Sequence, residues 1–540
     1  MKKTLTKIAL LMVVVLPSVF YAQNPSWQWA KIGGSSGKDS GEDIAIDSQG
    51  YIYVLGVYRD ANFNIGTFTL VNAGDDDIFL AKYNPNGSVI WVRNISSQGS
   101  DFVAQLLIDK NNDVYVSGGF SSVTLTIGTT TLTNSGSTNF FVAKYDNNGQ
   151  VIWAKNSSNS NLNRGFAAID NDLNSYSIIR TPTVVTLEKR NASESLIWAK
   201  TLTTTGTISS PQLRDIYVNE TGVYLTGGFF GDSLTIGTFT LANTNSVNSN
   251  DMFVAKLDTS GNVLWAKNAI AATSDQGMAI KVDAYGNSYV LGKFAGGSSI
   301  IFDSFSLTTN GQNDVFLVKY NPSGQVLWAK NAGGIFNDWV NDLVLDPSGG
   351  AYIIGGTFSP SITFANTTLT VVGNIGNDAD VYILKYSTNG NEEWMKGIQA
   401  LGSDNGNGIA INNIGEIYVT GAIEEMQGST TNIGTTSLTH FGLDDFFLAK
   451  LSSTVGLNET NFSILSTLFP NPTSGNFTIT QLEEFAGGNL EITNLMGQVV
   501  FSQTINASIL TINLTSQPKG IYLVKINSAN QNVIQKVVLE

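Results

Sequence analysis

Residues 77–93 read DIFLAKYNPNGSVIWVR. Two short runs rich in aromatic and β-branched residues flank a polar Asn-Pro-Asn-Gly turn. Phe79, Ala81 and Tyr83 alternate with Leu80 and Lys82, which is the two-residue period of a strand. The stretch therefore reads as a hairpin, and it recurs. Its second run, a Trp with a basic residue two places on, has copies at Trp29, Trp91, Trp153, Trp198, Trp265, Trp328 and Trp394, spaced 62, 62, 45, 67, 63 and 66 residues apart. Its first run returns as NFFVAK from Asn139, DMFVAK from Asp251, DVFLVK from Asp314, DVYILK from Asp380 and DFFLAK from Asp445, with a worn copy, VVTLEK, from Val184. A long, near-constant period marks stacked supersecondary units.

Two further strands precede each hairpin. In the first unit they are Ile44 to Asp47 and Tyr51 to Gly56, joined by the turn DSQG. Each unit thus has four strands, here A to D, and four-stranded units repeated around an axis make a β-propeller. Strands A, B and C each occur seven times after residue 40, whereas the first strand D, at Trp29, precedes any A. The pattern predicts an all-β chain with a seven-bladed β-propeller over 23–451, in which the N-terminal strand completes the seventh blade and leaves no free sheet edge. Trp27 to Lys31 is expected to pair with Phe446 to Lys450.

These A–x–D, G–N–x–Y–V–x–G, F–L–A–K–Y and W–A–K strands resemble the SBBP family of bacterial β-propeller repeats. The resemblance implies a fold and an extracellular setting, and no particular activity. Other features agree with that setting. Lys2 and Lys3 precede the apolar run Ile8 to Val15 and Ala22 ends the stretch, so residues 1–22 read as a secretory signal. No other apolar run is long enough to cross a bilayer.

Residues 452–466 read as a polar linker, and 467–540 as a small C-terminal β-sandwich. The latter segment contains LFPNPTSGNFTI, LEITNLMGQVV and GIYLVKI. Through Pro470, Asn471, Pro472, Gly475, Gly497, Gly520 and Tyr522 it resembles the type A C-terminal sorting domain of the type IX secretion system. That resemblance implies the outer-membrane secretion machinery as a partner, and delivery to the cell surface or the medium. The chain here ends in Glu540, where the family has a basic, apolar tail.

The formal charge is −14, and the three lysines of 1–22 leave the rest still more acidic. Such a surface repels nucleic acid and anionic lipid. The absence of cysteine excludes disulfides, thiolate metal sites and cysteine nucleophiles. The lone histidine, His440, lies in a loop without a Gly–x–Ser–x–Gly elbow, and one histidine cannot build a multi-histidine metal site. No cofactor or metal is expected. The recurring basic residues of strands C and D, such as Lys82, Lys144, Lys256, Arg93, Lys155 and Lys267, read as snorkelling side chains spread around the ring.

Five units place an acid at a constant position in the D-to-A connection: Asp39, Asp101, Asp275, Asp338 and Asp404. One reading is a turn-closing Asp that accepts local backbone N–H groups. The other is an arc of acceptors near the axis, open to a cation or polyol. Units three and four replace the acid with Leu162 and Pro211 and hold four of the six arginines, Arg164, Arg180, Arg190 and Arg214. Unit three also lacks the TIGT-type insert that the other six carry between strands B and C. The inserts are expected to build up one face. Arg164, Arg180 and Arg214 are expected to edge a notch that takes carboxylate or sulfate groups of a glycan or peptide. Three classes of function follow: a binding or adhesion module for a glycan or protein partner, a carboxylate-based polysaccharide-degrading enzyme, and a structural surface protein with no small ligand. No catalytic motif is found, and the fold alone cannot choose.

Overall fold

The computed structural model describes residues 24–134, 136–156, 166–180, 184–193, 195–206, 211–243, 249–297, 299–452, 467–480, 482–494, 498–527 and 532–539. The expected signal segment, nearly all of the linker, Leu162, Arg164 and Gly497 lie outside the described residues. The chain is all-β, and helical structure among the described residues amounts to one 3-10 turn, Glu483–Phe485. It divides into two compact parts, 1–456 and 457–540.

In the first part, seven antiparallel sheets of four strands repeat one plan. Sheet one orders its strands as they occur in the chain: Ser40–Ile46, Ile52–Arg59, Asp76–Tyr83 and Val89–Ile95. Sheets two to six follow over 101–156, 166–205, 212–268, 275–332 and 338–398. Sheet seven takes three strands from 405–451 and its outer strand from Trp27–Gly34. There Trp29 lies opposite Lys450 and Lys31 opposite Leu448.

Strands B and C are mostly buried, along their whole length in Val114–Phe120 and Asp251–Leu257 and at alternate positions in sheet three, because each sheet is covered on both faces by its neighbours. The clusters straddle two sheets. Tyr53, Leu80 and Trp91 of sheet one, for example, pack with Leu106, Val116 and Phe141 of sheet two. Each such apolar side chain contributes about 1.5–3 kcal/mol through burial. Close approach fixes some positions: a Cβ at Gly118 would stand 2.3 Å from the Phe102 carbonyl oxygen.

Among the described residues four seams are also fastened by a polar latch. The strand D indole N–H donates to the carbonyl of the second residue in the next sheet's C–D turn. Trp91 donates to Asn147 (3.3 Å), Trp198 to Thr259 (3.1 Å), Trp265 to Pro322 (3.0 Å) and Trp328 to Thr388 (3.1 Å). The turn glycine lies flat on the ring. A Cβ at Gly261, Gly324 or Gly390 would stand 2.8–2.9 Å from indole carbons, and φ of +76° to +81° suits glycine there. At sheet seven, Trp29 packs in the same way against Gly87 of sheet one.

The basic residues of strand C do not snorkel. Lys82, Lys256 and Lys319 are buried, and each strand C lysine lies over the strand B tyrosine of its own sheet, 4.6–5.3 Å from the ring centroid. Most also meet the A–B turn acid, as in Lys144–Asp109 (3.3 Å), Lys189–Asp170 (3.0 Å) and Lys319–Asp283 (3.2 Å). Burial of the ammonium needs such compensation. Arg93 donates to the carbonyls of Asn148 (2.8 Å) and Gly149 (2.6 Å) in the next sheet's turn.

The inserts do not wall off one face. Each forms a hairpin, such as Asn62–Ile65 with Phe68–Val71, that folds back along the outside between two sheets. Their alternating apolar residues are the reason. Phe63, Leu125, Leu234, Ile300 and Ile362 are buried, and only the groove between neighbouring outer strands can cover them.

The second part holds a three-stranded sheet (467–469, 476–480, 510–513) and a four-stranded one (489–494, 499–504, 520–527, 532–539). They share a core that includes Phe477, Ile479, Leu490, Ile492, Ile512 and Val524.

Trp328→Ala is expected to destabilise the first part by about 3–5 kcal/mol. Trp328→Phe, which keeps an aromatic ring but removes the indole donor and leaves the Thr388 carbonyl to Lys319 alone (3.3 Å), should cost about 1 kcal/mol. Urea denaturation of both variants checks this, and a Trp328→Phe protein as stable as the parent would show that the latch hydrogen bond carries nothing.

Candidate functional site

All five connection acids are buried, with 1–2 % of their surface exposed. Asp39 accepts from the Ser35 backbone N–H (2.5 Å), the Ser35 hydroxyl (3.0 Å) and the Arg59 N–H (3.0 Å). Asp338 accepts from the Gly334 N–H (2.7 Å), and Asp404 from the N–H groups of Ala400 (2.7 Å) and Glu424 (3.2 Å). Asp101 takes the Ser97 hydroxyl (2.6 Å) and Asp275 the Met252 N–H (2.9 Å). The repeated acceptance from four residues upstream satisfies a tight D–A connection whose N–H groups turn inward. The carboxylates are thus sealed inside the fold, and the acceptor arc open to a ligand is corrected to a set of buried turn caps. Burial pushes the carboxyls of Asp39 and Asp101 up to about 7 and that of Asp338 to about 6.

A different set of residues lines the space between the strands A. This cavity of about 510 Å³ is bordered by residues from all seven sheets, among them Asp43, Arg214, Asp215, Lys281, Asp342 and Asn407. Asp43, Asp215 and Asp342 sit at β-bulges. A bulge turns a side chain that would otherwise follow the alternation. Each carboxylate caps its own strand and also takes an N–H from the next sheet: Asp43 from Leu106 (2.7 Å), Asp215 from Ile280 (2.8 Å) and Asp342 from Ile409 (3.0 Å). The Lys281 ammonium stands 3.5 Å from Asp215. Burial opposes its charge, but Asp215, Asp342 and Asp43 more than offset that and hold it protonated above its ordinary range. Burial, with Asp342 nearby, raises Asp43 to about 7. Asn407 reaches the Ser40 hydroxyl and the Gly41 carbonyl, both at 3.0 Å, so sheet seven is braced against sheet one. Arg214 apart, these residues escaped the sequence reading. Their signal is a polar residue followed by Asp inside an apolar strand, as in Glu42-Asp43, Arg214-Asp215 and Asn341-Asp342.

Of the arginines expected to edge a notch, two are described. Arg214 borders the central cavity and donates to the Gln212 side-chain carbonyl (3.0 Å), Arg180 is half-buried at the end of a strand B, and Arg164 is not described. Arg190 pairs with Glu188 at 2.7 Å. His440 is no loose loop residue. It is buried, with Nδ1 2.9 Å from Asp445 and Nε2 3.0 Å from the Thr431 hydroxyl. Among the described residues no cluster of His, Cys, Asp and Glu is arranged to hold a metal, and no helix is long and apolar enough to cross a membrane.

In the C-terminal part the motif residues serve the fold. The Asn471 side-chain oxygen accepts the Val538 N–H (2.9 Å), tying the Pro-Asn-Pro turn to the last strand. The Tyr522 hydroxyl donates to the Pro518 carbonyl (2.7 Å), and Gly475 takes a φ of +120°. Residues 467–540 match the family model of the secretion system C-terminal sorting domain. The chain carries an export tail. It is therefore a protein of the cell surface or the secreted fraction, and its sorting domain implies the type IX machinery as a partner.

Residues 28–57 match the beta-propeller repeat model. An uncharacterized WD repeat-containing protein of Acanthamoeba polyphaga mimivirus is 23% identical over 434 residues, covering 71% of this chain and 29% of its own length. The chain thus spans about three tenths of that relative. Among solved structures, PorZ, a surface component of the type IX secretion system of Porphyromonas gingivalis, aligns over 94% of this chain and 100% of its own at 9% identity and a TM-score of 0.18. A DUF4221 member from Bacteroides vulgatus aligns over 61% and 92% at 10% identity and 0.27.

Two outcomes are expected. Asp39, Asp101 and Asp338 ionise near pH 4 in the unfolded chain but only near 6–7 when folded. The folded state thus binds more protons in that window. The contribution of these groups to stability is full below pH about 4 and declines as pH rises towards 7. Asp39→Asn with Asp101→Asn should flatten the fall in Tm between pH 5 and 7.5 in calorimetry, and an unchanged slope would refute the shifts. Deleting 467–540 should also leave the protein inaccessible to protease added to intact cells. Undiminished surface exposure of the shortened chain would count against the sorting role.

Proposed function

We propose that residues 23–451 form a seven-bladed β-propeller closed by Trp27–Gly34, and that this exported propeller is a binding module for a protein partner. Seven four-stranded sheets, the pairing of Trp27–Gly34 with Asp444–Leu451, and the packing of Trp29 on Gly87 support the closed ring.

The observation that carries the binding reading is a run of exposed aliphatic residues on the B–C and D–A connections of sheets five to seven. Ile335, Ile375, Leu401, Met426 and Leu443 are 57–76 % exposed. Their loops touch in series. Phe336 lies against Gly376, Gly373 against the Leu401 carbonyl, and the Leu401 N–H donates to Glu425 (3.1 Å), whose own N–H reaches the Leu443 carbonyl (3.1 Å). Apolar side chains grouped on loops at one end of a rigid scaffold mark an interaction surface. Aliphatic groups favour a protein over a glycan, since sugars are stacked by aromatic rings. The polysaccharide-cleaving alternative draws less support, because the acids that would supply its acid–base pair are sealed as turn caps.

Leu401→Asp with Met426→Asp is expected to weaken binding of the labelled, purified protein to intact producing cells at least tenfold at unchanged Tm. Equal binding by this variant would overturn the assignment of that face.

A further inference from the structure

One seam departs from the others twice. The outer grooves between neighbouring sheets hold a hairpin from the following unit, but in sheet three strands B and C are joined by residues 181–183 alone, so no such hairpin reaches the seam between sheets two and three. Sheet three's outer strand shows the loss: Leu196 is 50 % exposed, whereas its counterparts Val89, Val151, Val263 and Val326 are half-buried. The latch is missing at the same seam. Glu194 stands in the sequence where the other C–D turns have Gly87, Gly149, Gly261, Gly324 and Gly390. Trp153 is half-buried, and among the described residues its indole N–H does not donate to the Ala192 carbonyl as its counterparts do to theirs.

What stands there instead is a cavity of about 110 Å³ bordered by Tyr115, Lys144, Trp153, Lys155, Ser175 and Asn191. The Lys155 ammonium lies 4.4 Å from the Trp153 ring centroid and that of Lys144 4.9 Å from the Tyr115 ring. Tyr115 meets Trp153 edge-on at 5.9 Å. Lys144 also pairs with Asp113 (2.8 Å) and Asp109 (3.3 Å), which fixes its position. The polar lining is rich in donors: two ammoniums, an indole N–H, two hydroxyls and an amide. Elsewhere in this chain the same Trp and Lys pair recognises oxygen acceptors, since Trp91 and Lys82 both donate to the Asn147 carbonyl.

We propose that this seam is a binding site for an acidic glycan, with the carboxylate of one uronic acid residue seated on the Trp153 indole N–H within the field of the Lys155 and Lys144 ammoniums and the sugar ring against the edge of the Tyr115–Trp153 pair. The uncovered groove beside Leu196 lets the rest of the glycan run on outside the pocket. The site is separate from the aliphatic loop face and does not rest on it.

The test is calorimetric titration of the mature full-length chain with tetragalacturonate, a neutral galacto-tetraose and a tetraglutamate peptide. Expected are binding of tetragalacturonate that weakens with salt, none of the neutral sugar, a loss of at least tenfold in Trp153→Ala, and a loss of several-fold in Trp153→Phe. The Phe variant keeps the ring and so controls for misfolding. Leu401→Asp with Met426→Asp should titrate like the parent, which separates this site from the loop face. Failure of the parent to bind tetragalacturonate at millimolar concentration would overturn the proposal. So would equal binding of the neutral sugar, preference for the peptide, or undiminished binding by Trp153→Phe.

Discussion

The structure depends on one recurring contact, an indole laid on the next sheet's glycine turn with its N–H on a turn carbonyl. A four-stranded sheet alone exposes two apolar faces and cannot be stable. Stacking buries those faces, but apolar burial has no direction and would tolerate sliding. The latch adds direction, because the indole N–H finds its carbonyl at one offset only. Lys82 and Arg93 reinforce it with further bonds to the same turn, and the bulge aspartates do the equivalent on the inner side. Sheets one and four are thus fixed to the next sheet at both ends of their width, by an indole donor on the outer side and a bulge carboxylate on the inner side, each acting on a backbone group.

The repeat, the four strands per unit and the pairing of Trp27–Gly34 were legible because they rest on period and count. A strand's alternation and a turn's Asn-Pro-Asn-Gly are local, and local signals survive in a single sequence. The position of a side chain relative to a neighbouring sheet is not local. Asp39 and Asp43 are four residues apart in one connection and strand. The first vanishes into a turn and the second faces the central space, and only the bulge between Gly41 and Asp43 decides which. The lysines of strand C misled for the same reason. A lysine that alternates with apolar residues looks like a solvated edge until a tyrosine from strand B and an aspartate from the A–B turn arrive around it. The inserts were seen, but their direction was not, since the groove that receives them belongs to the unit before.

Repetition also makes departures informative. Where seven copies share a plan, a position that breaks it has lost a structural duty. The seam of sheets two and three has lost two such duties together, whereas His440 and Thr431 replace apolar packing within one insert and remain internally satisfied.

Trp394 is the member of the series whose N–H, fully buried, finds no acceptor. The turn it would meet is absent because the outer strand of sheet seven comes from the other end of the chain; there the Ser26 carbonyl takes the N–H of Ser452 instead (2.9 Å). The consequence is one of timing. Trp27–Gly34 leaves the ribosome first and its partner strand Asp444–Leu451 more than four hundred residues later. Closing so long a loop is slow, and until it closes both strands offer bare edges to any other chain. Sheets one to six can assemble as they emerge, while the last sheet waits on the most distant contact in the domain. A chain truncated before Asp444 therefore keeps this edge of its first strand open.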